Sequence, residues 1–451
     1  MIIVNSYRCS YCGGCVSVCP VDALTLAETR LIVSEECIEC GNCVLACPMG
    51  ALQSQDAGHT LQQSPRQMQR EYDLVIVGAG PGGAIAAREA AKAGLSVLLL
   101  EKRQEIGSPV RCAEGVGHDQ LASFVEPDPR WISAEVNQAE ITCVAEGVRR
   151  TMRAAGGRGY VLERRVFDRA LAEQAVQAGA QVRVKTAATG LLIENGHVCG
   201  VQVRCSDLHT GAGETQVQAK VVIAADGVES QVGRWAGLDV QLALEDTMVC
   251  AQYLLAGIKI DPTCTCYTIS HEMAPGGYAW VFPKGEGKAN VGLGVQANLL
   301  ALADEPGQAA EAAQVCTKTA MNYLDCFVEN HPALAQGYPV TLIAGNVPVA
   351  LSPSHIVIDG LMLVGDAARQ VDSLTGGGIT NAMTAGRLAA QVAVEAIASG
   401  DTSATFLRRY EERWQASLGR KLQRNYRLRA RFSPQQRIDE HFVQAFALAA
   451  K

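Results

Sequence analysis

The sequence predicts three parts in order: a small α+β module rich in cysteine, an α/β doubly wound domain carrying an inserted antiparallel sheet, and a helical C-terminus. Three observations predict it. Eight of the seventeen cysteines fall within the first 47 residues, in two runs of equal spacing. From Tyr72, a short apolar strand runs into a glycine-rich turn and then an alanine-rich helix. Around residues 130–160 and 245–350, period-two alternation of apolar and polar residues interrupts that pattern.

Composition narrows the class. A chain of 451 residues is too long for one compact core, so two or three domains are expected. A hydrophobic share of 48% excludes disordered and fibrous classes. No apolar run approaches the ~18–20 residues of a membrane-spanning helix. The eight residues before the first cysteine leave no room for a secretory signal, so a soluble, cytoplasmic protein is expected. Cysteine-rich and cytoplasmic points to metal or redox chemistry rather than disulfides. The formal charge of −7 argues against nucleic acid as a partner. One segment reverses that sign. Between Arg408 and Arg437 stand ten basic residues (Arg408, Arg409, Arg413, Arg420, Lys421, Arg424, Arg427, Arg429, Arg431, Arg437) against Glu411 and Glu412. That stretch reads as a contact for an anionic membrane surface or a phosphate headgroup, or as a solvated helix face.

The run Cys9-x2-Cys12-x2-Cys15-x3-Cys19-Pro20 recurs as Cys37-x2-Cys40-x2-Cys43-x3-Cys47-Pro48, a repeat of 28 residues. Three thiolates at i, i+3 and i+6 wrap one corner of a cubane but cannot supply its fourth ligand. In this pattern the fourth cysteine of each run serves the other cluster. The expected ligand sets are Cys9, Cys12, Cys15 and Cys47 for one 4Fe–4S cluster, and Cys37, Cys40, Cys43 and Cys19 for the second. Cys-x2-Cys is also a zinc spacing, but zinc needs only four ligands and leaves two complete runs unexplained. Residues 1–52 resemble the bacterial two-cluster ferredoxins. Residues 53–70 are polar and aperiodic, and read as a linker or as an ordered strap.

In the second part, Leu74–Val77 leads into Gly78-Ala79-Gly80-Pro81-Gly82-Gly83, a helix to about Ala93, a second strand Val97–Leu100, and then Glu101. This is the dinucleotide fingerprint in its required context. Gly78 permits the tight turn, Gly80 lets the backbone approach a pyrophosphate, and Gly83 allows close helix–strand packing. Glu101 is placed to take ribose hydroxyls. Two later strand ends, Ala225-Asp226-Gly227 and Val364-Gly365-Asp366, with Thr375-Gly376-Gly377-Gly378-Ile379 opening a helix, favour FAD over NAD. No second strand–GxGxxG–helix unit follows, so a separate NAD(P)H domain is not expected.

These segments, together with Glu101 to Cys112, Gly159 to Arg164 and Tyr278 to Gly285, resemble the geranylgeranyl reductase family. That family lies within the p-hydroxybenzoate-hydroxylase-like flavoproteins, and the likeness runs from about Tyr72 to Arg424. It implies an FAD-binding domain over 71–400 with the inserted substrate sheet, and a basic helical region over 401–451. It implies FAD contacts at Gly83, Glu101, Cys112, Ala113, Gly115, Arg164, Ala188, Asp366, Gly378 and Ile379. The departure is the fused N-terminal module, which puts an electron donor inside the same chain.

The expected activity is reduction of isoprenoid carbon–carbon double bonds, with electrons arriving singly through the clusters and, before them, from an external low-potential donor. Tyr278 and Trp280, at i and i+2 of a strand, point to one face. They read as core packing or, by the family likeness, as walls of a tunnel for an isoprenoid chain. Cys112 reads as an inert buried thiol or as a pocket group that steers alkene geometry or donates a proton; Tyr278 competes for the second role. The other cysteines read as small hydrophobes. Electron transfer to a quinone and flavin monooxygenation are the competing activities.

Overall fold

The computed structural model describes residues 2–54, 68–145, 148–205, 214–300 and 319–449, apart from the side chains of 54 and 154–156. Most of the expected linker and Cys316 lie outside the described residues. The N-terminal repeat is written into the backbone. Left-handed φ recurs 28 residues apart at Tyr11 and Glu39 (56° each), at Gly13 and Gly41 (75° and 80°), and at Asp22 and Gly50 (51° and 56°). These turns curl each cysteine run before the short helices Gly14–Ser17 and Asn42–Ala46. Strand Ile2–Val4 pairs with Leu52–Ser54, and Leu24–Ala27 pairs with Arg30–Val33, both antiparallel. The module therefore reaches Ser54, two residues past the expected boundary at 52.

Parallel strands Gln181–Arg183, Val97–Leu100, Glu71–Val77, Glu214–Ala224 and Leu361–Leu363 form the centre of the next sheet. Leu74, Val75, Ile76 and Leu98 are fully buried there, as strands covered on both faces require. Helix Pro81–Lys92 crosses helix Ile379–Ser399 above this sheet. The antiparallel pair Thr186–Glu194 and His197–Cys205 extends one edge. The inserted layer is a second eight-stranded sheet. Its order is Tyr338–Pro348, Thr247–Ala256, Lys288–Gln296, Tyr278–Gly285, Cys264–Ile269, Ile132–Ala145, Val148–Leu162 and Gly115–Gly117. Only Cys264–Ile269 and Ile132–Ala145 pair parallel in it.

The C-terminal region is not a separate body. Leu407, Tyr410 and Trp414 of helix Ala404–Trp414 join the core of the parallel sheet. The Tyr410 hydroxyl donates to the Leu363 carbonyl and accepts from Gln370 Nε2, both at 2.9 Å. A π-helical turn, Gln415–Gly419, then redirects the chain into helix Arg420–Arg431 and helix Glu440–Ala449. Phe442 and Phe446 of the last helix pack against the inserted sheet. No helix among the described residues is long and apolar enough to cross a membrane.

The cysteine-rich module docks on the edge of the parallel sheet. Lys185 Nζ donates to the Cys9 carbonyl and lies 5.4 Å from the Tyr11 ring centre; the Arg204 guanidinium lies 4.5 Å from that of Tyr7.

The crossing of the two long helices brings their backbones into direct contact. A Cβ on Gly386 would lie 2.1 Å from the Gly82 carbonyl oxygen. Gly386→Val must push these helices apart, and is expected to cost at least the ~1–3 kcal/mol of an overpacked core. Thermal unfolding of the purified variant, followed together with its flavin absorbance, should show both a lower midpoint and reduced FAD content. An unchanged midpoint would refute the account.

Candidate active site

Between the two sheets lies a cavity of about 660 Å³, within the ~300–1,000 Å³ usual for ligand sites. Gly80, Cys112, Ala113, Gly115, Arg164, Tyr278, Trp280, Asp366, Gly378 and Ile379 all line it. Gly78 and Gly83 lie beneath it and shape its floor. Gly78 sits at φ 103°, where a Cβ would meet the Ala225 carbonyl, and a Cβ on Gly83 would lie 1.9 Å from the Gly78 carbonyl oxygen. A Cβ on Gly80 would meet nothing within 4 Å, so the helix start is open on the side where a pyrophosphate belongs.

Glu101 and Ala188 lie off the cavity, past the glycine turn. The Glu101 carboxylate accepts from Ala79 N at 3.2 Å and Arg103 N at 2.9 Å, which holds it at the strand end. The Thr186 N–H donates to the Glu101 carbonyl, and the Lys185 N–H to that of Arg103. The cysteine-rich module, seated on Lys185, is therefore tied to the Glu101–Arg103 segment at the strand end.

The residues present fit FAD. The Asp366 carboxylate faces the cavity with no hydrogen bond among the described residues, and burial raises its pKa against the nearby charge of Arg164. Asp226 Oδ1 is buried without a hydrogen-bond partner among the described residues, while Oδ2 accepts from Val232 N at 3.0 Å. Gly377 and Gly378 open helix Ile379–Ser399 toward the cavity, where its N–H groups can meet a flavin ring edge.

The cluster cysteines fall into two groups of four. Cys9, Cys12, Cys15 and Cys47 line one small hollow, and Cys19, Cys37, Cys40 and Cys43 line another. Each fourth cysteine is braced by the same contact, Ala23 N to Cys19 Sγ and Ala51 N to Cys47 Sγ, both 3.2 Å. Four thiols at each hollow match the ligand count of a 4Fe–4S cluster.

On the substrate side, Tyr278 and Trp280 stand 5.9 Å apart, ring to ring, and Tyr278 meets Tyr267 at 5.8 Å and Phe446 at 5.1 Å. The Tyr278 hydroxyl donates to the Thr375 carbonyl, and burial raises its pKa well above the usual phenol. Trp280 Nε1 donates to Gln252 Oε1 at 2.8 Å, and Gln252 Nε2 to the Cys112 carbonyl at 3.2 Å. Cys112 Sγ accepts from Glu114 N at 3.2 Å. Burial raises the Cys112 pKa, opposed by the Arg164 charge beside it.

Sequence reasoning missed the group that holds this loop. Glu114, 3% exposed and left-handed at φ 73°, accepts from Arg164 N, Lys284 Nζ and Asn290 Nδ2, each at 2.7 Å. Lys284 also donates to the Leu162 carbonyl, and Arg164 forks onto Asp168 at 2.7 and 2.8 Å. The signal was a lone charge, Lys284, closing the apolar strand Tyr-Ala-Trp-Val-Phe-Pro.

Comparison with known proteins agrees with this architecture. Family profiles match in four places: a 4Fe-4S dicluster domain at residues 1–54, an NAD(P)-binding Rossmann-like domain at 76–130, an FAD binding domain at 137–268, and a geranylgeranyl reductase catalytic domain at 246–347. A digeranylgeranylglycerophospholipid reductase of Methanosphaerula palustris is 48% identical over 370 residues, 81% of this chain and 87% of its own. That of Methanosarcina acetivorans is 50% identical over 351 residues, 77% and 81%. A crystal structure of a geranylgeranyl bacteriochlorophyll reductase-like protein from Thermoplasma acidophilum superposes with TM-score 0.73 at 41% identity, covering 84% of this chain and 96% of that one. A flavin-dependent brominase, at 18% identity and TM-score 0.63 over 84% of this chain and 93% of its own, shares the fold alone.

Removing the Glu114 charge takes from the Lys284 ammonium, 6% exposed, its buried counter-ion and leaves only the 40% exposed Glu163 carboxylate at 3.2 Å. Glu114→Gln is expected to cost up to the ~3–5 kcal/mol of a broken buried pair. Adding Lys284→Met should recover much of it. Chemical denaturation of both variants checks this, and a double variant no more stable than the single one would contradict it.

Proposed function

The chain belongs to the geranylgeranyl reductase family, and on that premise we propose that it saturates carbon–carbon double bonds in the isoprenoid chains of a prenylated glycerophospholipid. Its cofactors are FAD and two 4Fe–4S clusters. When bound, FAD supplies two-electron reduction of an alkene and the clusters supply electrons singly, from a low-potential donor outside the chain. One observation carries the reading: a thiol, an aromatic wall and a glycine-opened helix meet in a single cavity.

The chain's residues divide the work. Glu101 binds ribose hydroxyls, with Ala188 beside it, and the Gly78–Gly83 turn receives the pyrophosphate. Asp366, Gly378 and Ile379 hold and orient the ribityl and ring end, with Arg164, Ala113 and Gly115 on the opposite side. Tyr278 and Trp280 exclude water and align the alkene. Cys112 Sγ holds the proton for the saturated carbon. Tyr278 is the weaker candidate because its hydroxyl proton is already committed to the Thr375 carbonyl. In the N-terminal module, Cys9, Cys12, Cys15 and Cys47 hold one cluster, and Cys37, Cys40, Cys43 and Cys19 the other. The exposed residues Arg420, Arg424, Arg427 and Arg431, spaced four, three and four apart, form a stripe along one helix face. It supports peripheral contact with an anionic bilayer.

Anaerobic incubation of dithionite-reduced protein with geranylgeranyl lipids, read by mass spectrometry, should give products heavier by whole multiples of H₂. Quinol formation from an added quinone, with no saturated lipid, would sink the proposal. Cys112→Ala is expected to lower turnover by ~10²–10⁴-fold, the usual worth of a positioned acid. Because burial raises the Cys112 pKa, the protonated thiol persists through neutral pH. Activity should therefore fall only as pH rises past the ordinary thiol value of ~8.5. A basic limb unchanged in Cys112→Ser would exclude this role.

The crossed ligand sets have their own test. Cys47→Ser should abolish the same electron paramagnetic resonance signal as Cys15→Ser, and Cys19→Ser the same signal as Cys43→Ser. Loss grouped by sequence run instead would overturn the pairing.

A further inference from the structure

The C-terminal region places two arginines where a surface helix would not. Arg429 and Arg437 are 6% and 7% exposed, and both line the cavity. Each donates to the same oxygen, Gln296 Oε1, at 3.1 and 2.9 Å, so the two guanidinium groups lie side by side. Their remaining contacts are neutral: Arg429 with Met248 Sδ, Arg437 with the Gly276 carbonyl. Neither forms an ion pair among the described residues. Asp246 acts on Arg429 only at longer range. Arg437 Nε is buried with no hydrogen-bond partner among the described residues. Two like charges out of water with no counter-ion are costly, and an anion between them removes the cost.

We propose that this pair, with Lys421 at the cavity's exposed edge, is the subsite for a phosphate group on the lipid substrate, binding its oxygens through the forked guanidinium donors. The inference rests on the lipid-reductase reading and deepens it. Burial and the neighbouring Arg429 push the Arg437 pKa down to about 9, as expected for a cation awaiting its partner. Strand Thr247–Ala256 gives the subsite its place. Met248, Cys250 and Gln252 alternate on one face; Met248 touches Arg429, and Gln252 carries Trp280 and the Cys112 carbonyl. Four residues at ~3.3 Å put the phosphate ~13 Å from the Cys112 end. The headgroup is anchored at one end while the chain is presented at the other.

The test is a flavin-absorbance titration of the oxidised holoenzyme with geranylgeranyl phosphate, geranylgeranyl diphosphate, digeranylgeranylglyceryl phosphate and geranylgeraniol, each with and without inorganic phosphate. The phosphate-bearing lipids should bind roughly 10- to 100-fold more tightly than the alcohol, the worth of one or two charge-assisted hydrogen bonds. Arg429→Gln and Arg437→Gln should each erase most of that preference and leave the alcohol's Kd unchanged. Arg437→Lys, which keeps the charge, should restore part of it. The three esters rank a glycerol phosphate against a prenyl phosphate as the natural source, and strong competition by inorganic phosphate would assign the subsite to the free anion. Equal binding of alcohol and esters by the native protein overturns the proposal, as does equal weakening of both by the variants. If no lipid is reduced yet inorganic phosphate still raises the unfolding temperature in an Arg437-dependent way, the subsite stands and the lipid reading falls.

Discussion

A buried carboxylate is costly unless hydrogen bonds and a cation offset its desolvation, and Glu114 obtains both by joining three parts of the chain. Its oxygens take the N–H that opens helix Arg164–Gln177, the ammonium ending strand Tyr278–Gly285, and the Asn290 amide of the next strand. The loop carrying Cys112 has no regular structure of its own, so its position is set by these contacts. The left-handed backbone at Glu114 turns the side chain inward and leaves its N–H to brace the Cys112 sulfur. The thiol, the Arg164 charge and the aromatic strand are therefore positioned together. A change at any one of them is felt at the others, because buried polar networks are satisfied as a unit or not at all.

What could be read in advance follows from how local the cause was. The 28-residue repeat fixes ligand spacing within a few bonds, and the same period returns in the left-handed residues. The glycine fingerprint is equally local, since Gly78 and Gly83 meet each other across one turn. Cys112, Arg164, Tyr278, Trp280, Asp366 and Gly378 come from distant segments, yet the family likeness brought them to one cavity. Contacts made between remote segments left little trace. Glu114 and Lys284 are 170 residues apart, and Gly386 is one glycine in an unremarkable helix until its backbone meets Gly82. The basic C-terminal stretch was legible only as charge. Burial splits it: Asn425 and Arg429 turn inward four residues apart, while Arg420, Arg424, Arg427 and Arg431 stay in water.

The docked cysteine-rich module adds a constraint that spacing could not convey. Lys185 and Arg204 grip it through a main-chain carbonyl and two tyrosine rings, and the Lys185–Thr186 segment is itself hydrogen-bonded to Glu101 and Arg103. The first cysteine set is thus tied to the segment that follows Glu101, and no contact among the described residues joins it to Cys112 or the aromatic wall. Fusion guarantees a high effective concentration of donor at acceptor. It does not by itself put the cubane against the ring, and the Lys185 contact is the feature that fixes where the module docks in this arrangement.

The cavity is graded along its length, and that gradient is the clearest link between packing and chemistry. Where the aromatic rings of Tyr267, Tyr278, Trp280 and Phe446 crowd together, each polar tip with a resolved bond points away to a protein acceptor, so the wall presented to the cavity is apolar. At the other end two guanidinium groups line the cavity with no ion-paired partner among the described residues. A ligand that satisfied only one end would leave the other paying desolvation with no return. An amphiphile with an anionic head and an unsaturated hydrocarbon chain satisfies both, and its orientation follows from electrostatics before any contact with the reacting carbon is made.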